Sequence, residues 1–163
     1  MALWYDRESS GKSLRGGGCM AKKKILIVDD EPSVLKIVKR RLEASNYDVV
    51  TALDGVDGLQ AVFLQKPDLV ISDIMMPNMD GYTFVKALRA NPAAARIPVL
   101  ILTAKEKLQD LFFFQGVKDV DYLVKPFESE ALLQKITELL VRVETYLGPD
   151  QEPESTPGPA QPS

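Results

Sequence analysis

Asp68-Leu-Val-Ile-Ser-Asp73-Ile-Met-Met-Pro77-Asn-Met-Asp80-Gly81 runs an apolar stretch straight into an aspartate and then into turn-forming residues. Leu69, Val70 and Ile71 follow one another without a polar alternation, which predicts a strand covered on both faces, as in a parallel sheet. Asp73 then stands at the carboxyl end of that strand, where open α/β sheets place their ligands. An ionised side chain at the lip of an apolar strand is costly unless something pairs with it or uses it. The segments on either side supply its neighbours.

Upstream, Lys24–Val28 is an apolar strand that breaks on Asp29-Asp30-Glu31-Pro32, and Pro32 suits the first turn of a helix. Val34, Ile37, Val38 and Leu42 repeat at helical spacing as far as about Ser45. Asp48–Ala52 reads as a second strand and Asp54-Gly55 as a turn, followed by a helix from Val56 to Lys66-Pro67. Downstream, a helix begins near Asp80-Gly81, carries Phe84, Val85 and Leu88, and closes at Asn91-Pro92. Residues 98–103 form a buried strand, 107–116 a fourth helix and 121–125 a short fifth strand running into Pro126. A last helix from Ser129 to Leu147 carries Leu132, Ile136, Leu139 and Val143 on one stripe and stops at Gly148-Pro149. Five strands alternating with five helices predict an α/β fold, a doubly wound parallel sheet with helices on both faces.

With 163 residues the chain has room for one domain with a real core. A net charge of −3 argues against direct nucleic-acid binding. The single cysteine, Cys19, excludes an internal disulfide and fits a reducing, cytoplasmic setting. No apolar run approaches the roughly 18–20 residues needed to span a membrane, so no membrane insertion is expected. The chain has no histidine, hence no histidine base, metal ligand or phosphohistidine of its own. Residues 1–21 lack periodicity and are expected to be a disordered extension or expression remnant, 22–147 the folded domain, and 148–163 a disordered Pro-, Glu- and Ser-rich tail.

The polar residues that close the strands form an ordered set: Asp29 and Asp30, then Asp73, Thr103 and Lys125. Taken singly, Asp29-Asp30 ahead of a helix reads as N-terminal capping. In the same way Asp73 reads as a turn residue, Thr103 as a strand end and Lys125 as a solvated lysine. The set as a whole is much harder to obtain from caps and turns. On adjacent parallel strands these groups converge, and three carboxylates against one ammonium leave about two negative charges uncompensated. Such a cluster raises its own pKa values or recruits a cation. A hard, oxygen-liganded divalent ion is the natural occupant, and Mg²⁺ suits a site of one or two carboxylates that keeps positions for water and phosphate. A carboxylate can attack phosphorus to give an acyl phosphate, with positive charge and hydrogen-bond donors on the equatorial oxygens. Lys125, the Thr103 hydroxyl and the Ala104 N–H fit those roles, and the small Ala104 leaves the approach to Asp73 open. The residues describe a phosphoryl-accepting aspartate.

The motifs Ile-Leu-Ile-Val-Asp29-Asp30-Glu31, Asp73-Ile-Met-Met-Pro77-Asn-Met-Asp80-Gly81, Leu-Thr103-Ala104-Lys105 and Tyr122-Leu-Val-Lys125-Pro126-Phe127 resemble the receiver domain of two-component response regulators. The resemblance covers about Lys22 to Leu147 and is most like a stand-alone, chemotaxis-type single-domain regulator. It implies a flavodoxin-like (βα)₅ fold with strand order 2-1-3-4-5. It makes Asp73 the phosphoacceptor in a Mg²⁺-dependent transfer from a phosphohistidine. Asp30, Asp73 and the Met75 main-chain carbonyl would bind Mg²⁺, with Asp29 acting through water. Lys125 would pair with the phosphoryl group, across a cis Lys125–Pro126 bond. Thr103 and Tyr122 would be the switch residues, relaying the change to the face made by 107–116, 121–125 and 129–147. The chain would thus be a signalling switch rather than an enzyme, with slow autodephosphorylation tuned by Met75 and Lys105. Its partners would be a histidine kinase or histidine phosphotransfer protein in trans and a downstream protein on that face. A phosphorylation-dependent homodimer is also compatible with the resemblance.

Two features depart from the family pattern. Lys118-Asp119-Val120-Asp121 occupies the place where a small Gly-Ala pair usually precedes the acidic residues, and Phe112-Phe113-Phe114 falls within the expected fourth helix. Three consecutive helical residues span about 200° of surface, so at least one of these rings should be exposed, either incidentally or as a partner-binding patch. Two other classes are weighed against the main reading. A haloacid-dehalogenase-type phosphatase needs an Asp-x-Asp after its first strand, a spacing that Asp29-Asp30-Glu31 lacks. A receiver-like scaffold without phosphorylation is disfavoured because every residue of the phosphorylation set is present.

Overall fold

The computed structural model describes residues 21–104 and 112–146. The expected extension before Ala21, the tail 148–163 and the first part of the expected fourth helix lie outside the described residues, as does Lys105.

Strand β1 (Lys24–Val28) shows why both faces of the sheet are covered. Ile25 and Ile27 point into one core, with Leu69, Ile71, Leu100 and Leu102 from neighbouring strands. Leu26 and Val28 point into the other, with Val70, Val99 and Ile101. This period-2 alternation inside uninterrupted apolar runs is what parallel strands require when helices pack on both sides. Helix α1 (Pro32–Ala44) and the C-terminal helix (Ser129–Tyr146) close the first core through Leu35, Val38, Leu42, Leu132, Ile136 and Leu139. Helices α2 (Gly55–Gln65) and α3 (Gly81–Ala90) close the second through Val62, Phe84, Val85 and Leu88.

The remaining strands are β2 (Asp48–Ala52), β3 (Leu69–Asp73), β4 (Val99–Ala104) and β5 (Val120–Lys125). All pairings are parallel and the order is β2-β1-β3-β4-β5, the predicted doubly wound arrangement. The order reverses between β1 and β3, so the ends of those two strands bound a crevice that no crossover fills. Among the described residues no helix is long and apolar enough to cross a membrane.

Three local readings change. Asp54 is not a simple turn residue: its carboxylate accepts the Asp57 N–H at 2.9 Å and caps α2, which starts at Gly55. Pro98 stays outside β4 because it has no N–H for the ladder, although its carbonyl accepts from the Val70 N–H at 3.0 Å. Residues 112–114 form a 3₁₀ turn, and of the three rings only Phe114 is buried, whereas Phe112 and Phe113 are 69% and 57% exposed. A ring pair to Tyr82, with centroids 5.2 Å from Phe113 and 6.0 Å from Phe114, fixes this turn against α3.

Candidate functional site

The carboxylates expected to share one crevice do so. Ligand oxygens of Asp29, Asp30 and Asp73 all lie within 4.8 Å of one another. The backbone explains the convergence. Asp29 directly follows β1, Asp73 ends β3, and the two strands are paired with Val28 opposite Ser72. On the far side of β3, Asp73 stands opposite Leu102, which puts Thr103 just beyond it. Ala104 stands opposite Lys125 at the ends of β4 and β5.

Lys125 reaches back across the crevice, with Nζ 3.1 Å from Asp29 Oδ2 and 3.4 Å from Asp73 Oδ2. The Lys125–Pro126 peptide is cis. Asp29 is fully buried, and burial is the main reason its pKa lies above the ordinary 3.8, with the nearby Asp73 adding to it. The Glu31 N–H on Asp29 Oδ1, at 2.9 Å, and Lys125 work against that rise without cancelling it. Burial also opposes the charge on Lys125, but Asp73 and Asp29 outweigh it and hold the ammonium above its usual 10.5. Asp29 therefore spends one oxygen on the turn into α1 and turns the other to the crevice. The residue that caps α1 is Glu31, without a side-chain bond, so capping does not account for the Asp29-Asp30 pair.

Asp73 accepts the Ile74 N–H at 2.7 Å through Oδ1, while the Ser72 hydroxyl donates to the Asp73 main-chain carbonyl at 2.9 Å. Thr103 is 1% exposed and its hydroxyl donates to the Ala104 carbonyl at 3.2 Å. Tyr122 lies on edge strand β5 and is 49% exposed, so its ring is turned outward. Asp121 accepts the Tyr122 N–H at 2.8 Å and the Lys135 ammonium at 2.9 Å, tying β5 to the C-terminal helix. Met75 is exposed in the loop between β3 and α3.

The donor set fits a hard divalent cation. It consists of oxygens only, carries more negative than positive charge, and includes the exposed Asp30 at its open side. Asp29, Asp30 and Asp73 are the residues that could hold such an ion.

Asn78 and Gly81 lie in the motif around Asp73, but their contacts, and the part played by Asp54, are visible only in the structure. The Gly81 N–H donates to the Ile74 carbonyl at 2.7 Å, and a Cβ on Gly81 would run into the Asp73 carbonyl oxygen. Asp54 accepts the Asn78 side-chain amide at 2.6 Å across 24 positions of sequence. No local pattern announces that pair; only the turn character of Pro77-Asn78 was visible.

The sequence model of the response regulator receiver domain matches residues 25–137. The chain is 41% identical over 123 residues to the DNA-binding dual master transcriptional regulator RpaA of Synechocystis, which covers 74% of this chain and 50% of RpaA. It is 38% identical over 122 residues to the alkaline phosphatase synthesis transcriptional regulatory protein PhoP of Bacillus subtilis, covering 75% of this chain and 50% of PhoP. The chain thus spans about half the length of the curated relatives it matches. Among solved structures it resembles the chemotaxis response regulator CheY4 of Vibrio cholerae, with a TM-score of 0.67 and 35% identity over 72% of this chain and 98% of that one.

Proposed function

The chain belongs to the response regulator receiver domain family, and on that premise we propose that it works as a phosphorylation switch centred on Asp73. As a receiver domain of a two-component system it pairs with a histidine kinase. The phosphoryl donor is a phosphohistidine on a kinase or a phosphotransfer protein, and since these 163 residues contain no histidine it lies outside them.

The observation that carries the proposal is the meeting of Asp29, Asp30 and Asp73 with Lys125 spanning two of them. Asp73 Oδ2 attacks phosphorus, the P–N bond to the donor imidazole breaks, and an acyl phosphate forms on Asp73. Lys125 then faces the new phosphoryl oxygens instead of the bare carboxylate. The Thr103 hydroxyl, which donates to the Ala104 carbonyl, turns to a phosphoryl oxygen and vacates space behind it for the Tyr122 ring. Asp30, Asp73 and the Met75 carbonyl would hold Mg²⁺, with Asp29 acting through water, and the ion when bound would supply positive charge against the developing phosphate. The switch is read on the face made by 112–118, β5 and the C-terminal helix, where the exposed Phe112 and Phe113 offer a contact patch for a target.

A second reading concerns the output. RpaA and PhoP are named as transcriptional regulators, so the same switch would govern a DNA-binding module rather than a separate protein target. A phosphorylated form that stays monomeric would count against this second reading, since two-fold DNA sites call for paired receivers.

The test of the main reading is incubation with acetyl phosphate and Mg²⁺, followed by mass spectrometry of the intact protein. A single phosphoryl adduct is expected, absent from Asp73→Asn. No adduct on the wild type, or an adduct retained by Asp73→Asn, rules the reading out.

A further inference from the structure

The loop 74–80 that follows Asp73 is held from outside the site. Its far end makes a tight turn in which the Met79 N–H donates to the Pro77 carbonyl at 2.6 Å across Asn78, whose φ is +62°. This is the strained, uncommon form of the three-residue turn, and a non-glycine residue stays in it only when its surroundings hold it there. Two contacts do so. Asp54 Oδ2 accepts the Asn78 amide at 2.6 Å, while Asp54 Oδ1 caps α2 through the Asp57 N–H. The Gly55 N–H donates to the Met79 carbonyl at 3.3 Å, and a Cβ on Gly55 would lie 2.7 Å from Met79 Cγ. The N-terminus of α2 and the loop therefore interlock at adjacent residues on each side.

We infer that Asp54 and Asn78 are positioning residues for the cation and phosphoryl site, acting through the loop that carries Met75. This deepens the phosphorylation reading and rests on it. Near its Asp73 end the loop is fixed by the Ile74 N–H on Asp73 Oδ1 and by the Gly81 N–H on the Ile74 carbonyl. Ile74 is buried, and Met76 and Met79 pack on the core of that face, so Met75 is the exposed residue between two anchored neighbours. The position of the Met75 backbone is set by both anchors together. Release of the Asn78 end leaves the turn without the contacts that hold its positive φ. The same clasp works in reverse: a change at Asp73 that displaces the loop pulls on the α2 cap.

The test uses Asn78→Asp, which sets two carboxylates against each other, and the exchange Asp54→Asn with Asn78→Asp, which rebuilds the bond with donor and acceptor swapped. Asp54→Asn alone is not used, since Asn78 can flip its amide and keep a bond. Mg²⁺ affinity is measured on folded protein by titration, together with the amide NMR signals of Gly55 and Asp57. Asn78→Asp should weaken Mg²⁺ about tenfold, as loss of outer ligand-supporting contacts does. The exchange should restore affinity to within about twofold of wild type by remaking that same contact. In the wild type, Mg²⁺ should shift the Gly55 and Asp57 signals, and in Asn78→Asp those shifts should vanish. Wild-type Mg²⁺ affinity in Asn78→Asp, or an exchange that fails to restore it while folding normally, overturns the inference. Absence of Mg²⁺ binding in the wild type would instead count against the phosphorylation reading.

Discussion

Lys125 sits where three effects compete, and their order fixes what its removal does. It neutralises a fully buried Asp29 at 3.1 Å and shares its charge with Asp73 at 3.4 Å. Lys125→Met takes away the positive charge that faces the phosphoryl oxygens. Loss of one such preorganised group lowers rates by about 10²–10³. Phosphoryl uptake from acetyl phosphate should fall by that factor, while Mg²⁺ binds at least as tightly because a competing cation has gone. The paired stability effect has a defined pH range. The raised folded pKa of Lys125 means its contribution is complete below 10.5 and is lost as pH rises through the folded value. Asp29 behaves oppositely to the usual carboxylate. Burial raises its pKa above 3.8, so its ionised form costs stability at neutral pH and acidification through the raised value relieves that cost. Mg²⁺ needs the ionised form. Its affinity should therefore begin to fall, as pH is lowered, above the ordinary carboxylate range, and titrations between pH 8 and pH 4 would show it. An affinity that stays flat down to that range would remove burial of Asp29 as the controlling factor.

The elements differ in how much of their role can be read locally. Helix α3 begins with two features of the same motif that do different work. Asp80 caps it by accepting the Thr83 N–H at 2.7 Å, and Asp80→Ala should cost about 1 kcal/mol of unfolding free energy. Gly81 admits the close pass of the Asp73 carbonyl, so Gly81→Ala must displace the end of β3. Overpacking of this kind costs about 1–3 kcal/mol, and unlike Asp80→Ala it should also impair phosphoryl uptake. Urea melts beside an acetyl phosphate assay separate the two. Strands β1, β3, β4 and β5 were legible because each runs into a polar residue, and that pattern also named Asp29, Asp30, Asp73, Thr103 and Lys125 as a group. The clasp was not legible, because Asp54 and Asn78 lie in separate turns and meet only when α2 and the β3–α3 loop pack together. The same holds for Arg89. It sends one guanidinium nitrogen to the Ile97 carbonyl at 3.0 Å and another to those of Lys118 and Asp119, at 3.2 and 3.4 Å. In sequence it is only a basic residue in the last turn of a helix. The Phe112–Phe114 run was readable as partly exposed, but the 3₁₀ turn that turns two rings outward depends on contacts with Tyr82.

At the scale of the whole molecule, the site joins segments that the unfolded chain keeps apart. Asp29 and Asp30 are more than forty positions from Asp73, and they come together only through the pairing of β1 with β3. A cation held by all three carboxylates therefore binds the folded state alone, and stabilises it by mass action. At ten times its dissociation constant the gain is about 1.4 kcal/mol, which raises the melting temperature of a domain this size by about 3–6 °C. Asp30 makes the test clean. It is exposed and forms no ion pair among the described residues, so in the absence of a divalent cation its repulsion by Asp29 and Asp73 is offset by no direct partner of its own. Asp30→Asn should then melt at or above the wild-type temperature without Mg²⁺ and should lose the Mg²⁺-dependent rise. The reversal of rank between the two proteins on adding Mg²⁺ is the expected signature in thermal scans at low and at millimolar Mg²⁺. Equal rises in both proteins would place the stabilising cation elsewhere, and a lower melting point for Asp30→Asn without Mg²⁺ would mean that Asp30 has a favourable partner that outweighs its acidic neighbours.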